Sequence, residues 1–97
     1  MITHIVLFKM KSNVCNSDIH RFYGELYVIK EKIEGIISIK GGHNISLENF
    51  QEGYSEGFVM EFENEKYRDD YLVHEEHIKL VKNFINPIVE SVLVFDF

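Results

Sequence analysis

Between Thr3 and Lys11 the chain is apolar at nearly every position from Ile5 to Met10. Continuous hydrophobicity of this kind describes a strand covered on both faces, as at the centre of a sheet. A polar break from Asn13 to Asn16 follows, and Asn16 or Ser17 is the expected N-cap of a helix with Asp18 in its first turn. Ile19, Phe22, Tyr23, Leu26, Ile29 and Ile33 then recur at spacings of three and four, one face of that helix, which Gly35 ends. Ile36 to Lys40 is short and β-branched, a second strand running into Gly41-Gly42, and Asn44 to Gly53 reads as a polar loop. Tyr54 to Phe62 alternates, with Tyr54, Phe58, Met60 and Phe62 on the richer face of a third strand. Asn64 caps a second helix that carries Tyr67, Tyr71 and His74 on one stripe. A further helical segment, broken from it near His74, carries His77, Leu80, Val81 and Phe84. Pro87 separates it from a last strand, Val89 to Phe97.

The order β-α-β-β-α-β predicts an α+β, ferredoxin-like fold: an antiparallel four-stranded sheet with helices on one face. Helices on one face leave the other bare, yet these strands are apolar on both sides. A homodimer with its two sheets packed face to face, a dimeric α+β barrel, resolves the conflict. On this reading Val6, Phe8, Phe58, Met60, Val92 and Val94 are largely buried.

At 97 residues the chain suits a single domain over residues 1–97. Ten Lys+Arg against sixteen Asp+Glu give a formal charge of -6, the wrong sign for a general binder of nucleic acid or anionic membrane. No stretch approaches the roughly 20 apolar residues of a membrane span. Cys15 is the single cysteine, so an intrachain disulfide is excluded, and the expected compartment is a reducing cytoplasm. Eight Phe and five Tyr imply a core, pocket or interface built from rings.

Several segments together resemble the stress-responsive A/B barrel domain family. They are His4-Ile5-Val6-Leu7-Phe8-Lys9-Met10-Lys11, Gly42-His43-Asn44-Ile45-Ser46, Tyr54 with Met60-Glu61-Phe62, Tyr71-Leu72-Val73-His74-Glu75-Glu76-His77 and the closing Ser91 to Phe97. The resemblance covers essentially the whole chain and implies a homodimeric barrel. It says less about activity, because the family joins stress proteins without known chemistry to a few plant polyketide cyclases. In the cyclases a helix tyrosine and the second histidine of a His-x-x-His motif line a pocket between sheet and helices. The matching positions are Tyr71 and His77, with His4 of the first strand beside them. Where the family often has proline after the first histidine, this chain has Glu75, which leaves the backbone free to stay helical.

On a continuous helix Tyr71, His74 and His77 lie at successive i, i+3 positions. A neutral imidazole can take a proton next to a carbonyl while a phenol donates to the developing enolate. The leading expectation is a small intracellular stress-associated domain of undetermined activity with an apolar small-molecule pocket between sheet and helices. The alternative is a cyclase- or lyase-like enzyme with His77 as base, Tyr71 as carbonyl-polarising donor and His4 assisting. The same residues also fit a bland arrangement, with Tyr71 in the core, His77 bonded to backbone and His74 at the surface. The chain is then a binding or purely structural module. The candidate lining of an apolar small-molecule pocket is His4, Phe22, Tyr23, Tyr67, Tyr71, His74 and His77. His74-Glu75-Glu76-His77 lacks the three-residue spacing of the zincin motif, and no metal is assigned. Gly41-Gly42 opens no helix, so no nucleotide or other cofactor is expected. His43 reads as a turn residue and His20 as a solvated one.

Overall fold

The computed structural model describes residues 1–97. Its elements in order are β1 (Ile2–Met10), α1 (Asn16–Val28), β2 (Ile36–His43), β3 (Tyr54–Phe62), α2 (Glu65–Val73), α3 (Glu75–Leu80) and β4 (Val89–Asp96). The strands form one antiparallel sheet in the order β2-β3-β1-β4. β1 is therefore central, which accounts for its continuous hydrophobicity. Val6 sits opposite Phe58 on one side and Val94 on the other. No helix is long and apolar enough to cross a membrane.

Alternation along the pleat divides the sheet into two unlike faces. His4, Val6 and Phe8 of β1 join Phe58, Met60 and Phe62 of β3 beneath the helices, and all six are buried. Phe22 and Leu26 of α1, Tyr71 of α2 and Leu80 of α3 close over them. The opposite face has no cover, and Leu7, Leu93, Phe95 and Phe97 stand exposed.

Local chemistry sets the element ends, and in places it departs from the pattern. The first residue of α1 is Asn16, so Cys15 occupies the N-cap and no side chain caps that helix. A 3-10 turn over Ile29–Glu31 narrows its end, and Gly35 reverses the chain at φ 91°. A Cβ at Gly35 would lie 2.1 Å from Cγ of Tyr67, so this turn requires glycine twice over. Asn64 caps α2 as its sequence implies, its Oδ1 accepting from the Tyr67 N–H at 3.1 Å. β2 runs on through both glycines to His43, which is a strand residue and not a turn residue.

Two burial expectations fail within the single chain: Val92 is 46% and Val94 58% exposed. Both point to the helix side, opposite Phe8 and Val6. They belong to an edge strand, however, and line a cavity between sheet and helices instead of sitting under a helix.

Candidate active site

That cavity has a volume of about 250 Å³ and nine of its twelve lining residues are hydrophobic. Val6, Phe8, Phe58, Val81, Ile85, Val92 and Val94 make its apolar walls. Its ring-bearing polar groups are His4 from β1, Tyr71 from α2 and His77 from α3. The ring centroids of His4 and Tyr71 are 5.9 Å apart, and those of Tyr71 and His77 4.2 Å. Three separate elements thus bring three candidate side chains to one apolar space.

Each ring has a defined polarity. The carboxylate of Asp96 accepts from Nδ1–H of His4 at 2.6 Å, which orients the ring and leaves Nε2 of His4 without a protein partner. The other oxygen of Asp96 accepts from Arg68 at 2.7 Å, and Nε–H of Arg68 donates to Asp69 at 2.8 Å. Burial works to raise the Asp96 carboxyl, but the hydrogen bonds from His4 and Arg68 outweigh it and hold it below its usual range. His77 donates Nδ1–H to the Leu72 carbonyl at 3.3 Å, which likewise frees its Nε2. Burial is the main influence on His77 and lowers its pKa below the ordinary 6.5, so the imidazole is neutral at pH 7. Burial alone raises the Tyr71 phenol, which hydrogen-bonds to no protein group and keeps its proton. Every fully enclosed polar atom in the chain has a partner, so the Tyr71 hydroxyl owes its freedom to the cavity. The result is a neutral base beside a neutral donor in a largely apolar pocket.

The remaining sequence candidates lie elsewhere. Phe22 packs in the core against Phe8. Tyr67 packs at the margin of the core against Gly35, away from the cavity, its hydroxyl donating to Glu34 at 3.4 Å. His74 does not line the cavity, because the helix breaks there even without a proline. Its backbone is extended (φ -70°, ψ 137°) and its Nδ1 accepts from the Glu76 N–H at 3.0 Å, capping α3. The His74–His77 relation of a continuous helix is therefore lost. No group of three His, Cys, Asp or Glu side chains is placed to hold a metal ion.

Tyr23 belongs to a second cluster built around Glu56, which the strand alternation places on the buried face of β3 with 6% of its surface exposed. One oxygen of Glu56 accepts from His43 at 2.6 Å and the other from the Tyr23 hydroxyl at 3.0 Å. The same hydroxyl accepts from the Gly57 N–H at 3.2 Å. Burial, reinforced by the Glu56 charge, raises the Tyr23 phenol. His20 is exposed at the rim of this cluster.

Asp96, Arg68 and Glu56 carry much of this electrostatic arrangement, and none stands out in the sequence. Asp96 meets His4 across 92 residues, so no local spacing announces the pair.

The stress responsive A/B barrel domain model matches residues 2–97. A stress-response A/B barrel domain-containing protein of Arabidopsis thaliana is 25% identical over 99% of this chain and 87% of its own length. Olivetolic acid cyclase of Cannabis sativa is 21% identical over 99% of this chain and 94% of its own. Among solved structures, a dimeric ferredoxin-like protein from Jannaschia superposes with a TM-score of 0.85 at 21% identity, covering 99% and 96% of the two chains. The hydroxynitrile lyase of Passiflora edulis does so with a TM-score of 0.89 at 16% identity, covering 99% and 90%.

Proposed function

This chain belongs to the stress-responsive A/B barrel domain family, and from that premise we propose that it is a small-molecule enzyme that moves a proton next to a carbonyl. The supporting observation is the convergence of His4, Tyr71 and His77 on one apolar cavity, with Tyr71 and His77 both unoccupied on their cavity side. In this reading Nε2 of His77 removes a proton from the carbon beside a ligand carbonyl. The C–H electron pair shifts onto the carbonyl oxygen, and the Tyr71 hydroxyl donates to the enolate that forms. Return of the proton from the imidazolium, to carbon or to an alkoxide made when the enolate adds to a second carbonyl, restores the base. His4, its ring fixed by Asp96, forms the polar wall beside Tyr71 against which the ligand rests. An apolar site strengthens each of these hydrogen bonds. Olivetolic acid cyclase, similar over nearly the whole chain, adds weight to a cyclase-type step.

The test is α-proton exchange of acetophenone in D₂O, followed by NMR. Wild-type protein should accelerate exchange over buffer. His77→Ala should reduce that acceleration at least about 100-fold and Tyr71→Phe about 10-fold. Equal exchange by wild type and His77→Ala would leave a binding or structural module.

A single domain over residues 1–97, paired as a homodimer through the open sheet face, completes the reading. Leu7, Leu93, Phe95 and Phe97 form an apolar surface on that face, and the Jannaschia neighbour is described as dimeric. Sedimentation equilibrium should give a dimer for wild type and a monomer for Phe95→Asp. The exposed, unpaired Cys15 suits a reducing compartment such as the cytoplasm. The acidic charge of -6 argues against nucleic-acid partners.

A further inference from the structure

The cavity has a fourth polar residue, Asn86, placed apart from the three rings. The Lys11 N–H donates to the Ile88 carbonyl at 2.8 Å, and Nζ of Lys11 donates to the Asn86 carbonyl at 3.0 Å. These bonds fix Asn86 beside the Lys11 end of β1, whereas the rings gather at the His4 end. The cavity wall from His4 to Phe8 covers four strand steps, about 13 Å. The polar groups therefore stand at the two ends of an apolar slot walled by Val6, Phe8, Val81, Ile85 and Val92.

The backbone leading into Asn86 is unusual. Residues Val81–Ile85 form a π turn, and the Asn86 N–H reaches back five residues to the Val81 carbonyl at 2.8 Å. One extra residue in a helical turn rotates everything after it by about 100°, the angle per residue of an α-helix. Continuing as an ordinary helix, the segment would have turned position 86 by that angle. Asn86 is an exposed residue of the cavity rim; its carbonyl and N–H are both engaged by the protein, and its side-chain amide makes no hydrogen bond to the protein. No Lys, Arg, Asp or Glu lines the space.

We propose that Asn86 is the specificity-determining residue of this cavity. It selects neutral ligands that carry, beyond an apolar or aromatic middle, a second oxygen able to hydrogen-bond at the end remote from the histidines. The ligand class is thus a compact, uncharged carbonyl compound with a distal hydroxyl or carbonyl. A cavity of about 250 Å³ suits a single ring with short substituents. The proposal rests on the carbonyl-site reading above, and its test separates the two.

Dissociation constants of 4-hydroxyacetophenone and 4-methylacetophenone are measured by NMR titration of wild type and Asn86→Leu, with the His77 ring signals reporting occupancy. Wild type should prefer the hydroxyl probe by about 5-fold, the net worth of one hydrogen bond that replaces a bond to water. Asn86→Leu should abolish that preference while binding the methyl probe at least as well as wild type. In the exchange assay the variant should raise KM for the hydroxyl probe and leave kcat within about 2-fold. An equal preference in wild type and Asn86→Leu overturns the role of Asn86 while leaving the carbonyl site standing. Absence of any His77 response to either probe overturns both. Asn86→Ser, smaller and still polar, should keep part of the preference, and its failure to do so alongside a normal thermal melt also counts against the proposal.

Discussion

Two clusters in this chain use the same ingredients, a tyrosine, a histidine and a carboxylate, and end in opposite conditions. Around Glu56 the buried groups are spent on one another: His43 and Tyr23 take its two oxygens, and Gly57 donates to the Tyr23 hydroxyl. At the His4 end Asp96 is equally occupied, by His4 and Arg68, but the inner ring of groups is not. Tyr71 and the Nε2 atoms of His4 and His77 face a cavity with their hydrogen-bonding capacity unused. Chemical composition alone does not separate a structural polar cluster from a reactive one. Unfilled valence beside empty space does, because a buried donor left open gains most from a ligand that satisfies it.

The contrast can be broken first at Glu56. Glu56→Ala should lower unfolding free energy by about 1–2 kcal/mol in urea denaturation, since Tyr23 and His43 both lose their carboxylate partner. A loss as small as that of a surface substitution would remove the distinction between the clusters.

A paired comparison of the two tyrosines sharpens it. Tyr23→Phe should cost about 1–2 kcal/mol, because a carboxylate oxygen and a backbone N–H lose their partner. Tyr71→Phe should change stability by less than about 0.5 kcal/mol, because its hydroxyl has no protein partner to lose, yet it should slow carbonyl exchange. If both substitutions prove equally destabilising, the Tyr71 hydroxyl is structural.

The smallest effect concerns pH. Burial disfavours the charged form of His77 in the folded chain, so the unfolded chain binds this proton more readily. As pH falls below 6.5 toward the lowered folded value, that difference should subtract from stability, and above 6.5 it should be absent. His77→Gln should flatten the decline between those limits in thermal melts. For the same reason the acid limb of carbonyl exchange should lie below pH 6.5.

Periodicity made most of the fold readable. β3 starts and ends at Tyr54 and Phe62 as its alternation implies, and Asn64 caps α2. The misreadings share a physical cause, which is that a pattern reports a face and not what covers it. Val92 and Val94 do point to the helix side, but the helices stop short of the sheet edge. Glu56 follows the same alternation inward, hidden from inspection by being charged among Ser55 and Gly57. The break expected near His74 is present, but the imidazole caps α3 there, so His74 leaves the pocket lining that its stripe suggested. Tyr71 and His77, which match cyclase positions in the resemblance, both line the cavity. The partners that orient His4 became visible only with β4 beside β1.

That last pairing has a consequence for how the molecule comes into being on the ribosome. β1 is made first, yet it is the strand that needs two neighbours, and one of them is made last. Until Val89–Asp96 emerges, His4 has no Asp96 and the cavity has no β4 wall. Long-range closure of this kind is slow compared with helix formation. A nascent or C-terminally clipped chain would therefore display an incomplete central strand and no oriented imidazole, so that the same late event that finishes the sheet also switches on the site.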